Sequence, residues 1–112
     1  MHDLVKVMKA LSDPTRIRIV KMLQHKTLCV CEMQAALAHS QPNVSKHLKI
    51  LQEAGLVESH KDGLWVNYTL ASGSPYAAAM LKQLAGWLEK DPEMKAILAK
   101  IDRVDRITLC QN

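Results

Sequence analysis

Two hydrophobic periods meet within residues 36–70, and they restrict the fold more than any other feature of the chain. Val44, Leu48 and Leu51 recur at helical spacing inside Gln41 to Ala54, a segment whose other positions are largely polar or basic. Gly55 follows and supplies a left-handed stop. From Leu56 the period drops to two. Leu56 to Ser59 is β-compatible, Lys61-Asp62-Gly63 makes a turn, and Leu64 to Leu70 alternates Trp65, Asn67 and Thr69 against Val66, Tyr68 and Leu70. Asp-Gly between two such runs is a hairpin signal.

The flanking segments read as helices. Leu4, Val5, Met8 and Leu11 fall at helical spacing. Asp13-Pro14 opens a second helix, with Asp13 as the cap and Pro14 at a position whose missing N–H would be unpaired anyway. Its buried face is Ile17, Val20 and Leu23, with Ile19 and Met22 beside them. A third helix starts near Cys31 and runs through Met33, Ala36 and Leu37, and Ser40 caps the fourth. After the hairpin, Ser74-Pro75 opens a helix to about Leu88, and Asp91-Pro92 opens a last one carrying Ile97, Leu98, Ile101 and Val104. The order α-α-α-α-β-β-α-α is that of a mainly α domain with a β-hairpin wing, a winged helix-turn-helix. At 112 residues the chain forms a single domain, 1–112. Within it the reading helix covers about 41–54 and the wing about 56–70.

Composition agrees. Aromatics are 4% with no Phe, so the apolar 48% sits in Leu, Ile, Val, Ala and Met, which favours helices over a sheet-rich sandwich. No apolar run spans a bilayer, and Asp3 and Lys6 interrupt the stretch that a signal peptide would need. The expected location is the cytoplasm, with no membrane partner. A net charge of +4 and a pI near 9.1 suit a polyanion. The cations concentrate in residues 1–27, as Lys6, Lys9, Arg16, Arg18, Lys21 and Lys26 against Asp3 and Asp13.

A helix that enters the major groove buries one stripe and presents short polar side chains and cations from its N-terminal half. Gln41 and Asn43 suit base edges, adenine above all. Ser40, Ser45 and Lys46 suit phosphates or bases, while His47 and Lys49 reach the backbone. Lys61 marks the hairpin tip, laid along the flanking groove or backbone as a wing. The plainer alternative is a solvated polar helix face; spacing, wing and charge together favour double-stranded DNA.

ALSDPTRIRIV, LCVCEMQAAL, SQPNVSKHLKILQEAGLV and KDGLWVNYTL resemble the arsenic-responsive repressor family, ArsR/SmtB, along most of residues 4–70. The SQ-x-x-x-S-x-HL-x-x-L element is specific to that family's recognition helix. The resemblance implies a bacterial homodimeric repressor that reads an inverted repeat in operator DNA. Its dimer would form through the first and last helices, about 3–11 and 76–105 here. The apolar stripes at Leu4–Leu11 and Ile97–Val104 are compatible with that and equally with plain core.

Three cysteines are an odd number for a disulfide framework. In mid-helix, residues two apart point about 200° apart and share no ligand. At a helix start the first residue is still extended, so Cys29 and Cys31 can converge, and the helix N-terminus favours the thiolate. The alternative is two small apolar residues under the reading helix. With Cys110 the chain has three thiols, the number that trivalent arsenic or antimony takes, whereas a closed zinc site wants four ligands. His2, His25, His39, His47 and His60 show no ligand spacing, though His2 or His25 could complete a site. LCVCEM also looks like the CVC metalloid-sensing element of arsenic-responsive members. Their further Cys, three residues on, is Gln34 here, which makes Cys110 the candidate third ligand.

Some relatives bind zinc between their last helices through Asp and His. AILAKIDRVDRITLC offers Asp102 and Asp105 but no His, so these read as solvated partners of Arg103 and Arg106. The expectation is therefore a repressor that needs no cofactor to bind DNA and is induced by As(III) or Sb(III) at Cys29, Cys31 and Cys110. The alternatives are a soft divalent ion such as Cd or Pb, or an oxidant or persulfide acting on the same thiols. An enzyme is not expected: a thiol oxidoreductase would carry CxxC after a strand.

Overall fold

A computed structural model describes residues 1–104; Cys110, Asp105 and the end of the expected last dimerisation helix lie outside the described residues. The elements are α1 (His2–Ala10), α2 (Pro14–His25), β1 (Leu28–Cys29), α3 (Val30–Leu37), α4 (Gln41–Glu53), β2 (Val57–Asp62), β3 (Trp65–Leu70), α5 (Pro75–Ala85) and α6 (Pro92–Arg103).

Four helix starts repeat one device, an oxygen-bearing cap followed by proline in the first turn. Asp13 Oδ2 accepts from Arg16 N at 3.1 Å, Ser40 Oγ from Asn43 N at 3.3 Å, Ser74 Oγ from Ala77 N at 3.1 Å and Asp91 Oδ2 from Met94 N at 2.9 Å. Each cap satisfies an amide with no helical partner and contributes about 1 kcal/mol. The core is built from Ile19, Val20, Met22 and Leu23 of α2, Met33 and Ala36 of α3, Val44, Leu48 and Leu51 of α4, and Leu28 and Leu56 beneath the sheet. Ile17, expected inside, is only partly buried and faces an apolar hollow between α2 and α5.

The sheet departs from a plain hairpin. It has three antiparallel strands in the order β1-β3-β2, with Leu28 opposite Tyr68 and Cys29 opposite Asn67. The extra strand is the extended entry to α3, captured by the open edge of β3. At the wing tip Asp62 pairs with Trp65, so the loop is Gly63 (φ 61°) and Leu64, which is 99% exposed. Lys61, expected at the tip, sits within β2 opposite Val66. The register explains the shift, since a two-residue loop needs positive φ at Gly63.

The base of the wing closes on the end of α4. Gly73 N donates to Gly55 O at 2.9 Å, and a Cβ on Gly73 would stand 2.8 Å from Gly55 Cα. Only a chain without side chains at both positions crosses there.

The last helix lies against its own chain, packed across α3 and α2 with Met94, Ile97 and Ile101 buried. Its apolar stripe is core. The exposed apolar residues among helices are instead Val5 and Met8 on α1, and Tyr76, Trp87 and Leu88 on or just after α5. Among the described residues no helix is long and apolar enough to cross a membrane.

A candidate DNA-reading face and thiol site

Along α4, burying Val44, Leu48 and Leu51 turns the opposite side outward. Ser40, Gln41, Lys46 and Lys49 are exposed, Asn43 and Ser45 partly so, and Lys61 is exposed on the wing. Both amides are pre-set. Gln41 Nε2 donates to Ser45 Oγ at 2.8 Å, and Asn43 Nδ2 lies 3.1 Å from His39 Nδ1.

His47 stands apart from this exposed set. Its side chain is 12% exposed and its Nδ1 lies 3.2 Å from Arg16 Nη1 and 3.9 Å from Asp13 Oδ2. Position 47 borders the stripe 44–48–51, so helical geometry turns it inward. Burial lowers its pKa; the Asp13 carboxylate opposes this, and the charge of Arg16 adds to it. Burial raises the Asp13 pKa, but the Arg16 amide, together with the charges of His47 and Arg16, brings it below the usual carboxylate value. Arg16 also donates through Nε to Ala10 O at 2.7 Å and through Nη2 to Lys9 O at 3.2 Å. One guanidinium thus joins the end of α1, the start of α2 and the middle of α4.

Arg16, Arg18 and Lys21 belong to the basic segment 1–27 that suits a polyanion. All three are engaged internally: Arg18 with Glu93, and Lys21, 5% exposed, with Leu84 O at 2.7 Å and Glu89 Oε1 at 3.3 Å. Asp102 likewise pairs with His25 at 2.9 Å rather than with Arg103. That contact fastens the end of α6 beside the end of α2.

The two cysteines lie at the start of α3. Cys29 is the N-cap, extended at φ −96° and ψ 170°, and 3% exposed. It forms a capping box with buried Glu32, whose Oε1 accepts from Cys29 N at 2.9 Å. Cys31 is in the first helical turn, partly buried, and lines a shallow cleft with Gln34, Ala35, Ala38 and His39. An extended cap followed by a helical residue is the geometry in which two sulfurs can converge, at the positive end of a helix dipole. Among the described residues no group of three or more His, Cys, Asp or Glu is placed to hold a metal ion. The sulfur donors there are Cys29, a free thiol, and Cys31, which is held in a disulfide and becomes a thiol only on reduction.

The model of the family described as "Bacterial regulatory protein, arsR family" matches residues 13–59, from the cap of α2 into the wing. The "Arsenical resistance operon repressor" of Escherichia coli is 38% identical over 100 residues, covering 88% of this chain and 85% of the relative. The chain belongs to the ArsR family. It is therefore a winged-helix transcriptional regulator, and the family's business is DNA binding rather than catalysis. Among solved structures, HlyU from Vibrio cholerae matches with a TM-score of 0.65 at 35% identity, covering 74% of this chain and 88% of that one. A homodimeric winged helix-turn-helix DNA-binding domain from Mycobacterium bovis matches with a TM-score of 0.63 at 26% identity, covering 75% and 79%.

Proposed function

We propose that this ArsR-family chain is a homodimeric, cytoplasmic repressor that holds operator DNA with two copies of α4. It releases the DNA when As(III) or Sb(III) binds Cys29 and Cys31. The observation that carries this reading is the position of both cysteines at the first turn of α3, where reduction presents two thiols. That helix runs through Ala38, His39 and Ser40 directly into the reading helix. Ala38 is a non-glycine residue at φ 58°, so the connection is a fixed turn rather than a slack one. A displaced α3 start therefore moves the base-reading residues.

In this reading Gln41 and Asn43 meet base edges. Ser40, Ser45 and Lys46 meet phosphates or bases, Lys49 meets the backbone, and Lys61 meets DNA from the wing. His47 acts through Arg16 by fixing the seat of α4. Two-fold symmetry of the dimer matches an inverted repeat. The partner copy covers the apolar face of α1 and α5, whose hollow of about 400 Å³ is lined by Leu11, Ile17, Met80, Leu84, Trp87 and Leu88.

Cys110 is the third thiol. The Asp102–His25 contact supports this, because it brings the end of α6 to the residue that precedes the Cys29 loop. From residue 102 to residue 110 an extended chain covers at most about 28 Å, enough for a return to the thiol pair. A hundredfold loss of operator affinity needs about 2.7 kcal/mol of coupling, within the ordinary allosteric range.

The test is fluorescence anisotropy of the reduced protein on a labelled, selected DNA, titrated with arsenite, cadmium and a persulfide donor in turn. Arsenite is expected to release the DNA at the lowest dose with reductant present, and Cys29→Ser to abolish that release. A full arsenite response in Cys110→Ser removes the third thiol and leaves the pair. Release by the persulfide donor alone makes the thiols a redox switch instead.

A further inference from the structure

The thiol-bearing segment is also a strand of the wing. β1 is paired with β3, the central strand, and the ladder row through the sensing residue reads Cys29, Asn67, His60 across the three strands. Residues directly opposite in an antiparallel pair project to the same face with Cβ atoms about 5 Å apart. Asn67 thus stands beside the Cys29 side chain, and its Oδ1 is buried without a hydrogen-bond partner. A buried carbonyl oxygen left without a donor is unfavourable, and native structures hold few of them.

We propose that the thiol site has a second output, the wing, and that Asn67 is the positioning residue through which the wing follows the state of Cys29. This rests on the thiol-sensor reading given above. β1 contains only Leu28 and Cys29, so a backbone rotation at Cys29 that brings its sulfur toward Cys31 changes half of the strand that pairs with β3. β3 then shifts with its loop Gly63-Leu64 and with Lys61 on the neighbouring strand. Asn67 lies directly opposite Cys29, and its unpartnered Oδ1 is available for a new contact when the sulfur moves, which is how the wing follows. DNA release would combine two displacements, of α4 through the α3–α4 turn and of the wing through β1.

The experiment is hydrogen–deuterium exchange on the reduced, DNA-free protein with and without arsenite, with native mass spectrometry counting bound arsenic. Arsenite is expected to speed exchange in Val57–Asp62 and Trp65–Leu70 as well as in α3. Asn67→Val and Asn67→Thr have nearly one shape and differ in an oxygen. Asn67→Val is expected to bind arsenic with unchanged stoichiometry, to lose the wing response, and to cut arsenite-induced loss of DNA affinity by roughly threefold to tenfold. Asn67→Thr is expected to keep more of both. Bound arsenic with wild-type wing exchange unchanged overturns the inference and leaves the sensor standing. So does an Asn67→Val protein that responds like the wild type. No bound arsenic in the wild type overturns the sensor reading and this inference with it. If Asn67→Val does not fold, the wild-type exchange pattern alone decides.

Discussion

Arg16 and His47 do together what neither type is usually credited with on a DNA-binding surface: they fix one helix against two others. Arg16 holds the carbonyls of Lys9 and Ala10, and its remaining arm meets His47 in the middle of α4. A neutral imidazole accepts from a guanidinium through Nδ1; a protonated one cannot. The pKa of His47 is lowered from 6.5 in the folded chain, chiefly by burial, so the unfolded chain binds the proton more readily. Its stabilising contribution is therefore complete above about pH 6.5 and falls as the pH drops through the lower folded value. Urea denaturation from pH 8 to pH 5 should show this fall in the wild type and a flatter profile in His47→Gln. Asp13, also lowered, adds a second loss only below its ordinary 3.8. Position 47 could have been read as inward, because 44, 47, 48 and 51 share one helical stripe. Its partner could not, since Arg16 lies 31 residues away and only the fold joins them.

The crossing of Gly55 and Gly73 joins the reading helix to the wing. Gly73→Ala places a Cβ 2.8 Å from a backbone atom that cannot step aside. The expected cost is about 1–3 kcal/mol, as for other overpacked sites. Thermal melting should register it as a drop of roughly 4–8 °C per kcal/mol. The helices were legible because their starts are written in local chemistry: Asp13-Pro14, Ser40 before Pro42, Ser74-Pro75 and Asp91-Pro92. The hairpin was legible from its change of period. β1 was not, since two residues have no period and became a strand only because β3 offered an edge. The inward stripe of α6 was readable as apolar, but whether it faced a partner or its own α3 depends on packing that no local pattern encodes.

For the whole molecule the exposed apolar residues are the instructive ones. Trp87 is 51% exposed beside the hollow between α2 and α5, while α6 is committed to its own chain. Trp87→Glu should therefore shift the protein toward monomer in sedimentation velocity, and its melting temperature should lose the concentration dependence that dimerisation confers. Losing the linked second half-site should weaken binding to a two-half-site DNA by roughly 100-fold, while binding to a single half-site stays the same. An unchanged dimer would place the interface elsewhere. The closed seat of Cys29 has one more consequence, and it concerns time. A cysteine that is 3% exposed meets a solute chiefly when its surroundings open. For a sensor built on it, the response rate rises with inducer concentration only until opening becomes the slow step, and then levels off. Brief exposures pass unanswered, and sustained ones do not: the buried thiol filters its signal by duration.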